Sequence, residues 1–300
     1  MWFRLRPSAG FDPAWRWRVF SAPHDAAAHL AIWGASLAVI GVFAWILIDV
    51  LSHGVSHLSL ELLTAAPADA GRQGGIAPIL VSTVLILAVC MAVAIPLGLC
   101  SAVLLSEFSR STSGYGRFVR RSLDVLAGLP SIVFGLFGYA FFCHALGLGF
   151  SILSGGLTLA CMVLPVLIRS VEAALQAVPD DIQTASAALG LSKTTTIRSL
   201  LLPAAAPGIA VGLILGIGRA LAETAALLFT SGYVVRMPGS LFDSGRALSV
   251  HIYDLAMNVP GGDGMAYASA LVLLGLLLGM NALATTLVQR WQKSKGLVFG

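Results

Sequence analysis

The sequence predicts an all-α membrane protein with about six transmembrane helices and both ends in the cytosol. Three observations carry this. The 300 residues are 57% apolar and only 11% charged, whereas a soluble domain carries about a quarter charged residues. The uncharged stretches are long enough to span a bilayer, which takes about 20 apolar residues. Lys and Arg alternate between dense and sparse segments, which sets the orientation.

The elements follow in order. Residues 1–29 form a cytosolic tail in which Trp2, Phe3, Trp15 and Trp17 are interspersed with Arg4, Arg6, Arg16 and Arg18. That pattern suits an anchor lying on the cytosolic leaflet. The first span, residues 30–50, is too long for a signal-peptide core and lacks a small-residue cleavage site. Residues 51–75 form an outward loop ending in Gly74-Gly75, and Ile76–Leu105 forms the second span. A short basic loop at 106–121 holds Arg110, Arg117, Arg120 and Arg121. Asp124 at its end pairs structurally with Arg120 or Arg121. Val125–Ile168 is uncharged and accommodates two spans, with a turn near His144–Phe150. A cytosolic loop from about 170 to 203 follows. The fifth span lies within Ser199–Thr230, interrupted only by Arg219 and Glu223. A second outward loop covers 232–264, Met265–Gln289 forms the last span, and 291–300 is a cytosolic tail.

Fourteen Lys and Arg residues fall in the four segments assigned to the cytosol, against Arg72, Arg236 and Arg246 outside. The net charge of +4 is therefore a topology signal and implies no nucleic-acid partner. Cys90, Cys100, Cys143 and Cys161 all lie in predicted spans without a C-x-x-C, which reads as buried apolar thiols and no metal site. Leu129-Pro130-Ser131, flanked by Gly128 and Gly135, favours a bent helix with close backbone approach. Pro130 and Ser131 are candidate pathway residues.

The loop of 170–203 is the informative one. Pro179-Asp180-Asp181 starts a helix, with acids at its positive end. Gly190 ends that helix, Ser192 caps a second short one, and Leu202-Pro203 begins the next span. Gly190-Leu191-Ser192-Lys193-Thr194 is not a P-loop, which needs glycine directly before its lysine. Any ATP-derived energy must come from a partner.

Thr184-Ala185-Ser186, Gly190 after three residues, and Leu200-Leu201-Leu202-Pro203 after nine more match the spacing of the EAA loop of ABC importer permeases. Ala185, Gly190, Leu202 and Pro203 match in identity. Thr184 replaces the usual Glu, Ser186 an Ala and Leu200 an Ile. The resemblance implies the MetI-like permease fold and a coupling helix that docks on ATP-hydrolysing subunits through residues 179–203.

Arg219 and Glu223 are spaced i, i+4 and so share a face of an unbroken helix. An arginine at mid-membrane costs at least roughly 2.5–3.5 kcal/mol and faces the bundle interior, an acid or water. The readings are a structural ion pair, or a cation in the path oriented by Glu223.

The run Gly218-Arg219-Ala220-Leu221-Ala222-Glu223-Thr224-Ala225-Ala226-Leu227-Leu228 resembles a segment of phosphate importer permeases, with Ala222 and Ala226 in place of Gly and Pro. Leu126–Gly138, Gly74-Gly75-Ile76 and His251-Ile252-Tyr253 resemble the same PstA-type family over roughly residues 74–290. The resemblance makes residues 76–290 the permease domain. It implies a non-enzymatic subunit of the bacterial inner membrane that moves inorganic phosphate. It also implies a homologous second permease, two ATPase subunits that bind the ATP, and an outer phosphate-binding protein. Permeases for phosphonate, molybdate or sulfate, and an ion-coupled secondary transporter, are the alternative readings.

Overall fold

The computed structural model describes the backbone of residues 23–108 and 114–294, and the side chains of 28–108 and 114–290. The N-terminal anchor, Arg110 and most of the C-terminal tail lie outside those residues. The chain divides into two units, Met1–Ser52 and His53–Gly300. The described part of the first is helix α1, Pro23–Gly54, whose last two residues belong to the second. α1 is apolar on every face. Leu30, Trp33, Phe43 and Trp45 are all exposed, and Ser36 returns its hydroxyl to the Ile32 carbonyl at 2.8 Å. A helix without a polar face suits lipid.

The second unit begins with a short helix α2, Leu60–Thr64. A two-stranded ribbon follows, pairing β1 (Pro67–Ala68) with β2 (Gln73–Gly74). Its connection is tight: Asp69, Ala70 and Gly71 all have positive φ. The spanning helices are α3 (Ala77–Phe108), α6 (Ile152–Gln176), α8 (Lys193–Ala222) and α11, Asp263–Ser294, of which Asp263–Arg290 is membrane-compatible. With α1 these make five helices long and apolar enough to cross, and a bent pair supplies a sixth crossing if counted as one.

That pair corrects the expected third span. α4 (Gly114–Ala127) and α5 (Ser131–Ala145) meet at 99°. The N–H groups of Gly128 and Leu129 close a tight turn on Val125 and Leu126. Pro130 then holds its neighbour out of helical geometry. The stretch from Val125 to Leu129 thus belongs to an amphipathic helix and its turn, and the second helix of the pair starts at Ser131. α4 buries Gly116 and Leu123 while Arg117 and Arg121 stay exposed.

α6 is the centre. It packs on α3 on one side and α8 on the other, and α8 packs on α11. Lipid offers no hydrophobic contrast between helices, so close van der Waals approach has to hold them together. Small residues permit it: a Cβ on Gly156 of α6 would lie 2.6 Å from Val89 and 3.0 Å from the Ile86 carbonyl of α3. Cys90 and Cys143 are buried as expected, but Cys100 is exposed, lining a cavity between α3 and the start of α8.

Gly156→Ala is expected to destabilise the unit by about 1–3 kcal/mol through overpacking. Gly275→Ala, where a Cβ meets nothing within 4 Å, is the neutral control. Thermal melting of the detergent-solubilised chain measures both, and equal melting of the two variants would refute the packing account.

Candidate functional site: a broken helix between two clamped ends

α8 runs without interruption from Lys193, so the expected second short helix is the first turns of the spanning helix itself. A wider, π-type turn at Ile197–Leu201 replaces the expected break, and Leu202 and Pro203 lie inside the helix. Arg219 sits in its last turn. The side chain is half-buried, and its Nε is buried with no hydrogen-bond partner.

Glu223 does not continue the helix. Its backbone is extended (φ −76°, ψ 126°), which corrects the expectation of a shared helical face. Its carboxylate accepts from the Ala226 N–H at 3.1 Å and so caps the four-residue helix α9, Ala225–Leu228. Its carbonyl accepts from Ser249 Oγ at 2.6 Å. Among the described residues Arg219 and Glu223 form no ion pair. Glu223 shapes the backbone and does not orient the guanidinium.

The break is held from two sides. α5 lies against α9 and the residues after it: a Cβ on Gly135 would come within 2.9 Å of Ala226 Cα, and one on Gly138 within 2.9 Å of Thr230 Cγ2. Pro130 and Ser131 start that helix; Pro130 is exposed and Ser131 half-buried. The structure brings their helix to the break but gives neither residue a hydrogen bond to Arg219. On the other side is α10, Leu248–Met257. The N–H of Leu248 donates to Thr83 Oγ1 of α3 at 2.8 Å, and Ser249 holds the Glu223 carbonyl.

The cytosolic loop has the geometry its sequence suggested. Helix α7 is Asp180–Ala188, preceded by Pro179. Gly190 has φ +66° and its N–H closes on the Ala187 carbonyl. Ser192 Oγ accepts from the Thr195 N–H at 3.2 Å. Thr184 and Ala185 face solvent, with the Thr184 hydroxyl returned to the Asp180 carbonyl at 3.1 Å. Ser186 and Pro203 are buried. Leu189 at the tip is 77% exposed. An apolar cavity of about 550 Å³ lies behind the loop, lined by Ala174, Val178, Pro179, Ile182, Ala204 and Gly208. Nothing here offers covalent chemistry; the arrangement presents a short exposed helix with Leu189 at its tip, beside an apolar cleft.

Two clusters escaped the sequence reading. Glu172, 2% exposed near the cytosolic end of α6, receives Arg120 Nε at 2.6 Å and Arg169 Nη1 at 3.0 Å. Arg120 also donates to the Leu105 carbonyl at 2.8 Å. Asp124 pairs with Arg169 at 3.1 Å, not with the arginines of its own helix. The network ties α3, α4 and α6 together. On the outward side Arg246 bridges to Asp254 at 2.8 Å. His251 is buried beside them, with Nδ1 3.5 Å from Arg246. Burial first, and then the Arg246 charge, push the His251 pKa down to about 4, against a smaller upward pull from Asp254. Glu172 lies beyond the uncharged stretch and in no motif. His251 belongs to a segment that carries the family resemblance, but the sequence does not show its partners.

Glu172→Gln leaves two guanidiniums without their shared carboxylate, and a loss of about 3 kcal/mol is expected. Thermal melting checks it, and a melting point equal to the parent's would refute the clamp. His251 is neutral in the fold but titrates near 6.5 when unfolded. Its folded pKa is the lower one, so stability falls as pH drops from about 6.5 toward 4, by on the order of 3 kcal/mol in all. His251→Phe is expected to flatten that part of the melting-versus-pH curve; an unchanged curve would exclude His251 as its source.

Residues 94–293 match the family described as binding-protein-dependent transport system inner membrane component. The chain is 34% identical over 268 residues, 84% of its length and 88% of the relative's, to a probable ABC transporter permease protein YqgI of Bacillus subtilis. It is 37% identical over 213 residues, 69% of its length and 68% of the relative's, to the phosphate transport system permease protein PstA of Mycobacterium leprae. Its fold is that of the inward-facing MetNI methionine ABC transporter (TM-score 0.53, 20% identity, 73% of this chain and 96% of that one). A bacterial ABC transporter for alginate import shares it (TM-score 0.56, 14% identity, 89% and 98%). With two thirds of its length in the family match, the chain belongs to the binding-protein-dependent transport permeases, as a multi-pass inner-membrane subunit of an ABC importer.

Proposed function

We propose that this chain is a permease subunit of an ATP-driven importer of inorganic phosphate. It would form the path with a second, homologous permease. The observation that carries the reading is Arg219. It is a permanent cation inside a spanning helix, its Nε has no protein partner, and it stands where the sequence resembles phosphate permeases. The similarity to phosphate permease subunits of Mycobacterium leprae and Haemophilus influenzae supports the same cargo. A guanidinium offers charge-assisted, bidentate contacts that fit phosphate oxygens.

In this reading ATP is bound and hydrolysed by partner subunits that grip α7. Thr184, Ala185 and Leu189 present the contact face, and Gly190 gives the turn that exposes it. Ser186, Leu202 and Pro203 hold the loop against the span. Closure of the ATPase pair pushes on α7, and the push reaches α8 through the continuous helix from Lys193. The outer binding protein delivers phosphate to the opposite face. Pro130 and Ser131 set the direction of α5, the wall against α9, and Glu223 holds the backbone break that leaves Arg219 at the end of its helix.

The test is uptake of radiolabelled phosphate in a host lacking its own permease, with the chain expressed alongside its partners. Arg219→Ala is expected to reduce uptake at least about 100-fold, the loss of a charge-assisted contact of roughly 3 kcal/mol. Gly190→Asp, strained at positive φ, is expected to lose co-purification of the ATPase subunit. Uptake that persists without ATP, or phosphate uptake no better than sulfate uptake, would overturn the proposal. Normal uptake by Arg219→Ala would remove that residue from the path.

A further inference from the structure

We propose that the outward cavity between His251, Arg246 and Gly71 is a binding site for one small oxyanion, separate from Arg219. The inference rests on the reading of the cargo as an oxyanion. The cavity is about 200 Å³ and is closed by the 67–71 turn, Val235, Arg246, His251, Asp254 and Val259. Both outward loops therefore contribute to it, on the face where cargo arrives.

His251 is 1% exposed, and its Nε2 is buried without a partner. Its tautomer follows from its neighbour. Arg246 Nη1 lies 3.5 Å from Nδ1, and a guanidinium can only donate. Nδ1 is therefore the acceptor, and Nε2 carries the proton. That ring edge faces Gly71, where a Cβ would lie 3.0 Å from Cε1 and 3.7 Å from Nε2. Gly71 has φ +90°, so the position suits glycine for its backbone and also keeps the space before the ring open. A buried N–H donor aimed at a cavity calls for an acceptor inside it.

Arg246 supplies a second donor. Its Nε donates to the Tyr233 carbonyl at 3.1 Å and its Nη1 to Asp254 at 2.8 Å. Its Nη2 has no partner among the described residues. The carboxylates are already engaged. Asp254 takes Arg246 on one oxygen and Asn258 Nδ2 on the other, at 2.9 Å. Asp69 takes Arg72 at 2.7 Å. Among the described residues Asp69 is bonded through Oδ1 alone, so an acceptor also borders the cavity, but the unmet donors are N–H groups, which suit a ligand made of acceptors such as a tetrahedral oxyanion.

The local charges, Arg72 and Arg246 against Asp69 and Asp254, cancel. An anion held by directed donors and not by net charge can leave again, which a site on a transport route requires. The site also has a mechanical neighbour. His251 is two residues from Ser249, which grips the Glu223 carbonyl at the break.

The experiment uses the full chain, labelled with ¹⁵N-histidine, in nanodiscs of neutral lipid. Inorganic phosphate is titrated while the Nε2–H resonance of His251 is followed, assigned by its loss in His251→Phe. A saturable shift is expected, weakened about tenfold by Arg246→Gln through one lost charge-assisted bond and unaffected by Arg219→Ala. If Arg246→Gln does not fold, Gly71→Ala is read instead, and a full shift with that space filled overturns the site.

A stationary resonance in a folded spectrum overturns the proposal. So does the same shift from chloride at equal ionic strength, the mark of an adventitious ion only. Loss of the shift in Arg219→Ala overturns it too, by placing the ion in the span. If sulfate or molybdate moves the resonance and phosphate does not, the oxyanion site stands and the phosphate reading of the cargo falls.

Discussion

A helix that stops within a packed bundle frees backbone groups that need partners in the protein. α8 stops at Ala222, and the surrounding structure supplies those partners. The Ala226 N–H has the Glu223 carboxylate, and the Glu223 carbonyl has Ser249. Thr230 and Ser231 return their hydroxyls to the carbonyls of Ala226 and Leu227. Their own carbonyls take N–H groups from Ser151 and Gly245. The start of α6, the outward loop and α10 are thereby all tied to one interruption. Irregular backbone at membrane depth is tolerated where protein surrounds it, and that condition fixes the position of α5, α9 and α10 together.

The cytosolic end solves a different problem, keeping three helices in register beside the 179–203 loop. Its means is a buried carboxylate between two guanidiniums. Breaking such a cluster is far more costly than its net contribution suggests, because Arg120 stays largely buried without its carboxylate. A second tie joins the loop to α3: Lys193 Nζ donates to the Glu107 carbonyl and lies 4.0 Å from the Phe108 ring centroid. α7 begins eight residues after Glu172, with only the end of α6 and a short turn between them. The loop that resembles a docking element is thus braced on both flanks.

Local physics explains which features the sequence revealed. Uncharged runs of the length of Ile76–Leu105 have one destination, and Gly190 and Ser192 act on their immediate neighbours, so spans and loop were legible. The break at Glu223 was not. Neither Glu nor Thr breaks helices by itself, and the bonds that hold the break come from Ser249 and from a chain reversal that no periodicity encodes. The same holds for α4. Pro130 was visible, but the 99° turn follows from Arg120 and Asp124 reaching Glu172 and Arg169 about fifty residues away. The burial of His251 was not legible because its environment is assembled from two loops far apart in sequence.

The unpartnered guanidinium follows from the same interruption. Had α8 continued, Glu223 would lie one turn above Arg219 and the two charges would neutralise each other at hydrogen-bond range. By leaving the helix, Glu223 spends its carboxylate on the Ala226 N–H. Arg219 keeps its positive charge with no carboxylate bonded to it among the described residues. A cation within a span requires water, an acid or an anion. The acid within one helical turn of Arg219 is committed to backbone. The break that organises α5, α9 and α10 is therefore also what leaves Arg219 without the carboxylate that its own helix would have placed beside it.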